Sequence, residues 1–123
     1  MGVGGGGKMI TYEKRSFIRV IVDILVTIEA DNSLEVQRWA AKAMDISLDG
    51  IRLRCQEALH LNASYLLRFP VEWSNLCAHI AIMRQDETNY GCMFIDMCPD
   101  TRKTLGQLIY HQWRQSVCKG SKL

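Results

Sequence analysis

The sequence predicts an all-β domain of about six antiparallel strands followed by one α-helix. Several segments alternate apolar and polar residues with a period of two, which is typical of strands with one buried face. Polar or glycine-containing turns separate these segments. After Pro99 the apolar residues change to helical spacing. Strands of this kind close into a barrel or pack as a sandwich, and the helix would cover an open side.

The clearest strand begins at Ile18. Every even position from 18 to 28 is apolar, whereas the odd positions include charged residues, so one face is predicted to be buried. A turn at residues 31–33 separates it from a second strand over Leu34–Ile46. The alternation of this second strand slips between residues 38 and 41, which predicts a bulge there.

The remaining four strands are shorter. They are predicted over Ile51–Arg54, Tyr65–Val71, Leu76–Arg84 and Tyr90–Asp96. Pro70 indicates an edge or terminal position in the fourth strand, because proline cannot donate a ladder hydrogen bond. Residues 85–89 are polar enough to form the hairpin loop between the last two strands. The helix is predicted to begin at Pro99 and to end near Gly120.

Composition limits the classes of protein that fit. A length of 123 residues predicts one domain with a modest core. The net charge of +2 is too small to indicate a nucleic-acid polymer or a membrane surface as partner. No apolar run approaches the roughly 20 residues of a membrane span, so membrane insertion is not expected. Five cysteines without a C-x-x-C pair indicate reduced thiols in a cytoplasmic protein, and no metal or cofactor is predicted.

The first twelve residues are interpreted as a flexible tail. Gly2–Lys8 fits the phosphate-loop pattern G-x-x-x-x-G-K, but no strand precedes it, and Met9 stands where a magnesium-binding Ser or Thr belongs. Glycine-rich segments of this composition behave as unstructured linkers. The expected organisation is a tail over residues 1–12, one domain over 13–117 and a second tail over 118–123.

A basic segment precedes the first strand and contains Lys14, Arg15 and Arg19. Because Arg15 and Arg19 are four residues apart, a bent segment would bring them to one ligand from two sides. The planar guanidinium fork matches phosphate oxygens and also the O6/N7 edge of guanine. A solvated charge cluster at a strand end is the alternative interpretation.

The turn after the second strand carries the pattern D-x-S-x-x-G in Asp45–Gly50. On an extended chain Asp45 and Ser47 share one face, whereas Ile46 points inward. Asp45 is able to accept hydrogen bonds from N1 and N2 of a guanine, and Ser47 is able to add one to the base or a phosphate. Gly50 tolerates a positive φ and lets a ligand approach the backbone. The alternative is an ordinary strand-to-turn junction, where these residue types are favoured.

Together the two motifs resemble the signature of the PilZ domain family, the bacterial receptors for cyclic di-GMP (c-di-GMP). That family carries R-x-x-x-R before its first strand and [DN]-x-S-x-x-G at the turn between its second and third strands. Both motifs are complete here, in Arg15–Arg19 and Asp45–Gly50. Tyr90–Asp96 and the helix after it are similar to the family's last strand and C-terminal helix, so the resemblance covers residues 13–115.

The resemblance implies a six-stranded antiparallel β-barrel with a C-terminal helix, which binds c-di-GMP on its outer surface. In such a domain Arg15 and Arg19 would hold phosphates and guanine edges. The residues that would recognise a guanine are Asp45, Ser47 and Gly50.

Two further cations are included in the expected site. Lys14 stands just before the first motif, where it would help to hold a second, stacked ligand molecule. Arg84 lies near the end of the fifth strand, where some relatives have an aromatic residue that packs on the ligand. Arginine is also able to stack on a base.

The expected function is a c-di-GMP receptor that is not an enzyme. Binding would order the N-terminal segment and change the surface offered to a separate protein partner, with motility, exopolysaccharide or biofilm as the output. Catalysis is not expected, because His60, His79 and His111 lie on different elements without a nucleophile or carboxylate partner. One alternative is a structural protein-interaction barrel that does not bind nucleotide. Another is a single-strand nucleic-acid binder, which the low net charge disfavours.

Overall fold

The computed structural model describes residues 18–31 and 35–121. Within these ranges the elements in chain order are β1 (Val20–Asp31), β2 (Val36–Ile46), β3 (Gly50–Arg54), β4 (Ser64–Arg68), β5 (Cys77–Asp86), β6 (Asn89–Ile95) and α1 (Pro99–Ser121). A 3-10 turn over Val71–Trp73 lies between β4 and β5. The tail predicted over residues 1–12 and most of the turn predicted at 31–33 lie outside the described residues.

The six strands form a closed antiparallel barrel in the order β1-β2-β3-β6-β5-β4. Neighbouring strands pair along most of their length, except that β1 and β4 close the barrel through a short contact from Thr27↔Arg68 to Glu29↔Leu66. The predicted fold class is therefore confirmed, and of the two architectures that the strand pattern allowed, the barrel is correct.

The barrel interior is filled by the inward residues of every strand. Each even position of β1 from Val20 to Ile28 is buried, as the period-two pattern predicted. Fully buried side chains also come from the other strands, including Leu53 of β3, Leu67 of β4 and Ile80 of β5. Burying a side chain of this size stabilises a fold by about 1.5–3 kcal/mol. The alternation therefore determines which residues of each strand fill the barrel and which ones face outward.

The prediction of a bulge between residues 38 and 41 is wrong. This stretch pairs with β1 in continuous register. The pattern looked irregular because Ala40 lies on the outer face directly before buried Ala41, so two apolar residues are adjacent. The bulge of β2 lies at Met44 instead, where the register against β3 shifts by one residue.

Most strand ends differ from the prediction by one or two residues, and the end of β4 and the loop after β5 differ by more. β4 ends at Arg68, and Val71 lies in the 3-10 turn with 69% of its surface exposed. Pro70 explains this, because it lacks the N–H that a continuing ladder needs. The loop predicted over 85–89 shrinks to a two-residue turn, in which Glu87 takes a φ of 59°.

Helix α1 covers one side of the barrel with Leu105 and Ile109, which lie one turn apart and are buried. It begins at Pro99 as predicted and continues to Ser121, so residues 118–121, which were assigned to a tail, are helical. Positions 110–119 contain no glycine or proline that would end the helix earlier. Among the described residues, no helix has both the length and the apolar character needed to cross a bilayer.

An ion cluster on the outer face predicts how stability depends on pH. Hydrogen bonds from Arg38 and Arg68 hold the pKa of the Glu29 carboxyl below its ordinary value of 4.5. A lowered folded-state pKa contributes stability above the unfolded value, and this is lost as the pH falls through the folded value. Glu29→Gln should therefore melt below the wild type at pH 7, and the difference should shrink at pH 3. Thermal unfolding at both pH values checks this, and an equal difference at both would contradict it.

The cysteines differ in expected reactivity. Four free cysteines are described, and a hydrogen bond from the Thr101 hydroxyl lowers the pKa of exposed Cys98. Burial raises the pKa of Cys92 to about 12 and also raises that of Cys55. Because the thiolate is the nucleophile, iodoacetamide at pH 8 should alkylate Cys98 well before the buried thiols of Cys55 and Cys92. Mass-spectrometric mapping of the folded protein measures this, and alkylation of Cys92 as fast as Cys98 would contradict it.

Candidate functional site

The turn between β2 and β3 is rigidly held. The Ser47 N–H donates to the Gly50 carbonyl at 2.8 Å and closes the turn. The Asp49 carbonyl accepts a hydrogen bond from the Phe94 N–H of β6 at 3.1 Å. From the other side, Arg102 of α1 donates to the Leu48 carbonyl at 3.4 Å. The sheet and the helix together therefore fix this motif.

The bulge at Met44 turns Asp45 to the outer face. Inward Ala43 and inward Ile46 are both fully buried, so β2 has two outward residues between them instead of the expected alternation. Bulges commonly re-aim a side chain in this way beside functional sites. Asp45 therefore points outward, whereas regular alternation would have directed it inward. Its polar partners on the outer face cover it, so it is only 8% exposed.

Asp45 is held between two arginines. Its Oδ1 accepts a hydrogen bond from Arg19 Nη1, and its Oδ2 forms an ion pair with Arg52 Nε at 2.8 Å. About half of each arginine side chain is exposed, whereas the Asp45 side chain is 11% exposed. The carboxylate is therefore pre-positioned, and the cations around it face solvent and are free to rearrange toward a ligand.

Ser47 joins the same cluster. Its Oγ donates to the Asp49 carboxylate and lies 3.4 Å from Arg19 Nη2, which donates to it. The residue is 2% exposed, so its hydroxyl is fixed rather than rotating in solvent. Asp49, which was not predicted as a site residue, thus orients Ser47.

Gly50 is required by close packing of the barrel. A Cβ at this position would lie 2.6 Å from the Cys92 carbonyl oxygen and 3.8 Å from Arg19 Nη2. The first distance is too short for any side chain without a backbone shift. The backbone of Gly50 does not take the positive φ that the sequence allowed, so the constraint is the approach of β6.

An open cleft of about 420 Å³ runs from this cluster across the outer face of the barrel. We call it the outer cleft. The residues that line the outer cleft are Arg19, Asp45, Ile51, Arg52, Met83, Arg84, Gly91 and Cys92. It continues into a second hollow of about 370 Å³, which shares Arg52, Arg84 and Gly91. Three guanidinium groups and one carboxylate therefore line the outer cleft. This balance favours an anionic ligand that also offers hydrogen-bond donors to Asp45.

The structure brings together most of the residues predicted from the sequence. Arg19, Asp45, Ser47 and Gly50 meet at one end of the outer cleft, and Arg84 forms part of its far wall. Arg15 and Lys14 lie outside the described residues. No group of three metal-ligating side chains occurs in the described part of the chain.

Arg52 and Gly91 were not predicted as site residues from the sequence. Arg52 follows Gly50 by two residues on the same outer face, and this alternation was the one signal that could have found it. Gly91 carries no such signal, because only the pairing of β3 with β6 brings it to the site.

Comparison with known proteins agrees with this architecture. The model of the PilZ domain family matches residues 13–111. The PilZ domain of YcgR from Escherichia coli, solved with c-di-GMP, has a TM-score of 0.67 at 12% identity, over 89% of this chain and 99% of that one. No curated protein sequence matches the chain.

Two longer structures contain a similar domain. YcgR from E. coli in complex with c-di-GMP gives a TM-score of 0.67 at 15% identity over 89% of this chain. The inhibitor of motility MotI/DgrA from Bacillus subtilis gives 0.62 at 14% identity over 82% of this chain. The match covers 50% and 52% of those two chains, so this chain spans about half of their length. The family model covers most of the sequence and the barrel agrees with it, so this chain belongs to the PilZ domain family.

Proposed function

We propose that this chain is a c-di-GMP receptor and binds its ligand in the outer cleft. The observation that carries the proposal is the hydrogen-bonded cluster of Arg19, Asp45 and Ser47 at the wall of a cleft with two further arginines. Two similar structures, the PilZ domain of YcgR and YcgR itself, contain c-di-GMP as their ligand, which supports the same choice.

Binding exchanges partners at Asp45. In the free chain this carboxylate is neutralised by Arg19 and Arg52. A guanine offers two N–H donors, at N1 and N2, whose spacing suits the two oxygens of one carboxylate. When the base takes these oxygens, the Arg19 guanidinium turns to the phosphates, for which its fork is suited. The proposal extends to Arg15 and Lys14 as further phosphate contacts and to ordering of the segment that carries them.

The receptor acts without catalysis and through a second protein. The described histidines belong to different segments: His60 precedes β4, His79 lies on β5 and His111 lies on α1. The output is regulation of a partner in motility, exopolysaccharide synthesis or biofilm formation in the cytoplasm. The similarity to an inhibitor of motility favours the first of these.

Isothermal titration calorimetry tests the receptor assignment. Wild type should bind c-di-GMP saturably and GTP far more weakly, because one guanine and a linear triphosphate fill only part of the cleft. Arg19→Ala should weaken binding about tenfold or more, since a hydrogen bond to a charged group contributes about 1.5–3 kcal/mol. Arg114→Ala removes the same charge from an exposed position of α1 and should leave affinity unchanged.

Failure of the proposal has a clear signature. If saturating c-di-GMP gave wild type no heat and no rise in melting temperature, the chain would be a protein-interaction barrel that does not bind nucleotide. Equal affinity in Arg19→Ala and wild type would place the ligand elsewhere on the chain.

A further inference from the structure

Helix α1 continues beyond the part that packs on the barrel. Leu105 and Ile109 are buried against the barrel, and Gln112, about one turn later, is half-buried. Every residue over 113–117 is exposed. A helical segment this short is marginal in water on its own, because helices draw most of their stability from the packing of an apolar face. The described part of the barrel therefore leaves the last turns of α1 uncovered and available to another molecule.

Three large side chains form one exposed stripe on this part of α1. Tyr110, Trp113 and Val117 are 50%, 38% and 48% exposed. They follow one another at spacings of three and four residues, so they share one face of the helix. We call these three residues the aromatic stripe. It lies beside the face that carries Leu105 and Ile109 and is not part of it.

The composition of the aromatic stripe is typical of a protein-binding surface. The ring centroids of Tyr110 and Trp113 lie 5.7 Å apart with the planes tilted by 31°, so the two side chains already support each other in the free chain. Arg114 follows directly and is exposed. Tryptophan, tyrosine and arginine are the residue types that contribute most to binding energy at protein interfaces. Tryptophan is otherwise highly buried on average, so its exposure here favours a binding role.

The spacing of the stripe indicates the shape of its occupant. Gly106, Tyr110, Trp113 and Val117 follow the alternating four- and three-residue spacing of a heptad seam. Such a narrow seam is matched by the apolar seam of a second helix. A helix that lies on a membrane needs a much wider apolar face. In α1 the barrel already covers the neighbouring apolar face, so only the narrow seam remains.

Charge determines which kind of helix fits. Residues 101–117 contain Arg102, Lys103 and Arg114 and no aspartate or glutamate. Lys103 precedes Tyr110 by two turns on the same face, and Arg114 follows Tyr110 by one turn beside the stripe. A second copy of the chain would bring cations against cations, with no carboxylate in this stretch to pair with them. An acidic helix would instead pair with these cations across the seam.

We propose that the aromatic stripe docks an amphipathic helix of a partner protein. This helix carries apolar residues at its a and d positions and glutamate or aspartate at the flanking e and g positions. None of the described residues that line the outer cleft belongs to α1, so the partner and the nucleotide bind different parts of the chain. The proposal therefore does not depend on the receptor assignment.

Two designed peptides of three heptads test the surface in the absence of nucleotide. Both carry leucine at a and d; the acidic peptide has glutamate at e and g, and the basic peptide has lysine there. Like charges at e and g prevent either peptide from pairing with itself. Fluorescence anisotropy of the labelled peptides should show saturable binding of the acidic peptide to the full chain, and binding of the basic peptide at least about tenfold weaker, because the stripe is flanked by cations.

Variants of exposed residues locate the binding. Trp113→Ala should weaken the acidic peptide about tenfold or more, the loss that follows truncation of a central interface aromatic. Arg114→Glu should weaken the acidic peptide and strengthen the basic one. Leu61→Ala removes an apolar side chain that is 53% exposed in the loop between β3 and β4 and should leave both affinities within twofold of wild type.

Three results would overturn the proposal. One is equal affinity for the acidic and basic peptides, or no loss of affinity in Trp113→Ala. Another is a wild-type dimer in sedimentation equilibrium that Trp113→Ala converts to a monomer, which would make a second copy the occupant. The third is Trp113-dependent binding to vesicles of phosphatidylcholine and phosphatidylserine without binding of the acidic peptide, which would make a lipid surface the occupant. None of these results bears on c-di-GMP binding, which calorimetry measures separately.

Discussion

Replacing Asp45 by alanine is expected to weaken c-di-GMP binding by about a hundredfold or more. Asp45 is the one carboxylate among the described residues that line the outer cleft. It would accept two hydrogen bonds from one guanine, and a hydrogen bond to a charged group contributes about 1.5–3 kcal/mol, so losing both corresponds to two or more orders of magnitude. Calorimetric titration of the variant measures the loss directly.

The sign of the Asp45→Ala effect distinguishes guanine recognition from simple attraction of an anion. Removing Asp45 frees Arg19 and Arg52 and makes the outer cleft more positive. If phosphates alone determined affinity, the variant would bind more tightly than wild type. Glu72→Ala removes the same charge from an exposed position on the 3-10 turn and should leave affinity unchanged. Tighter binding by Asp45→Ala would contradict base recognition at this residue.

Gly50→Ala is expected to destabilise the fold by roughly 1–3 kcal/mol, the usual cost of overpacking. The added Cβ would lie 2.6 Å from the Cys92 carbonyl oxygen, which is main chain in a paired strand and cannot rotate away. The shift that relieves this contact would separate β3 from β6 beside the site. Urea denaturation measures the change as a lower midpoint.

Gly106→Ala is the matched control for this substitution. A Cβ at Gly106 would meet only the methyl groups of Leu48, at 3.7 and 3.8 Å, which is ordinary contact. Because alanine is a better helix former than glycine, this variant should be more stable by about 0.5–1 kcal/mol. Equal urea midpoints for Gly50→Ala and wild type would show that the β3–β6 contact is more tolerant than its geometry indicates.

Period-two alternation was sufficient to predict the fold because it reports burial directly. The inward positions of β1 from Val20 to Ile28 are buried as the pattern required, and Leu105 and Ile109 of α1 follow from helical spacing. The motif Asp45–Gly50 was also placed correctly at the turn after β2, since its spacing is local.

The parts that sequence could not predict depend on contacts between distant segments. Bulges at Met44 and Met83 break no obvious pattern, because an outward methionine is as acceptable as an outward polar residue. A regular alternation through Ile80 and Ile82 of β5 would direct Arg84 into the barrel, whereas the bulge at Met83 directs it outward. Arg52 and Gly91 become neighbours only through the pairing of β3 with β6, which are 35 or more residues apart in the sequence and are not joined by a hairpin.

Amide chemical-shift mapping with c-di-GMP tests the central claim most directly, because it reports both binding and its location. We expect saturable shifts at Asp45, Ser47 and Gly50, together with Arg52 and Gly91 of the outer cleft, and little change in the C-terminal half of α1. Unmoved signals at Asp45–Gly50 under saturating ligand, or shifts confined to the opposite face of the barrel, would contradict it.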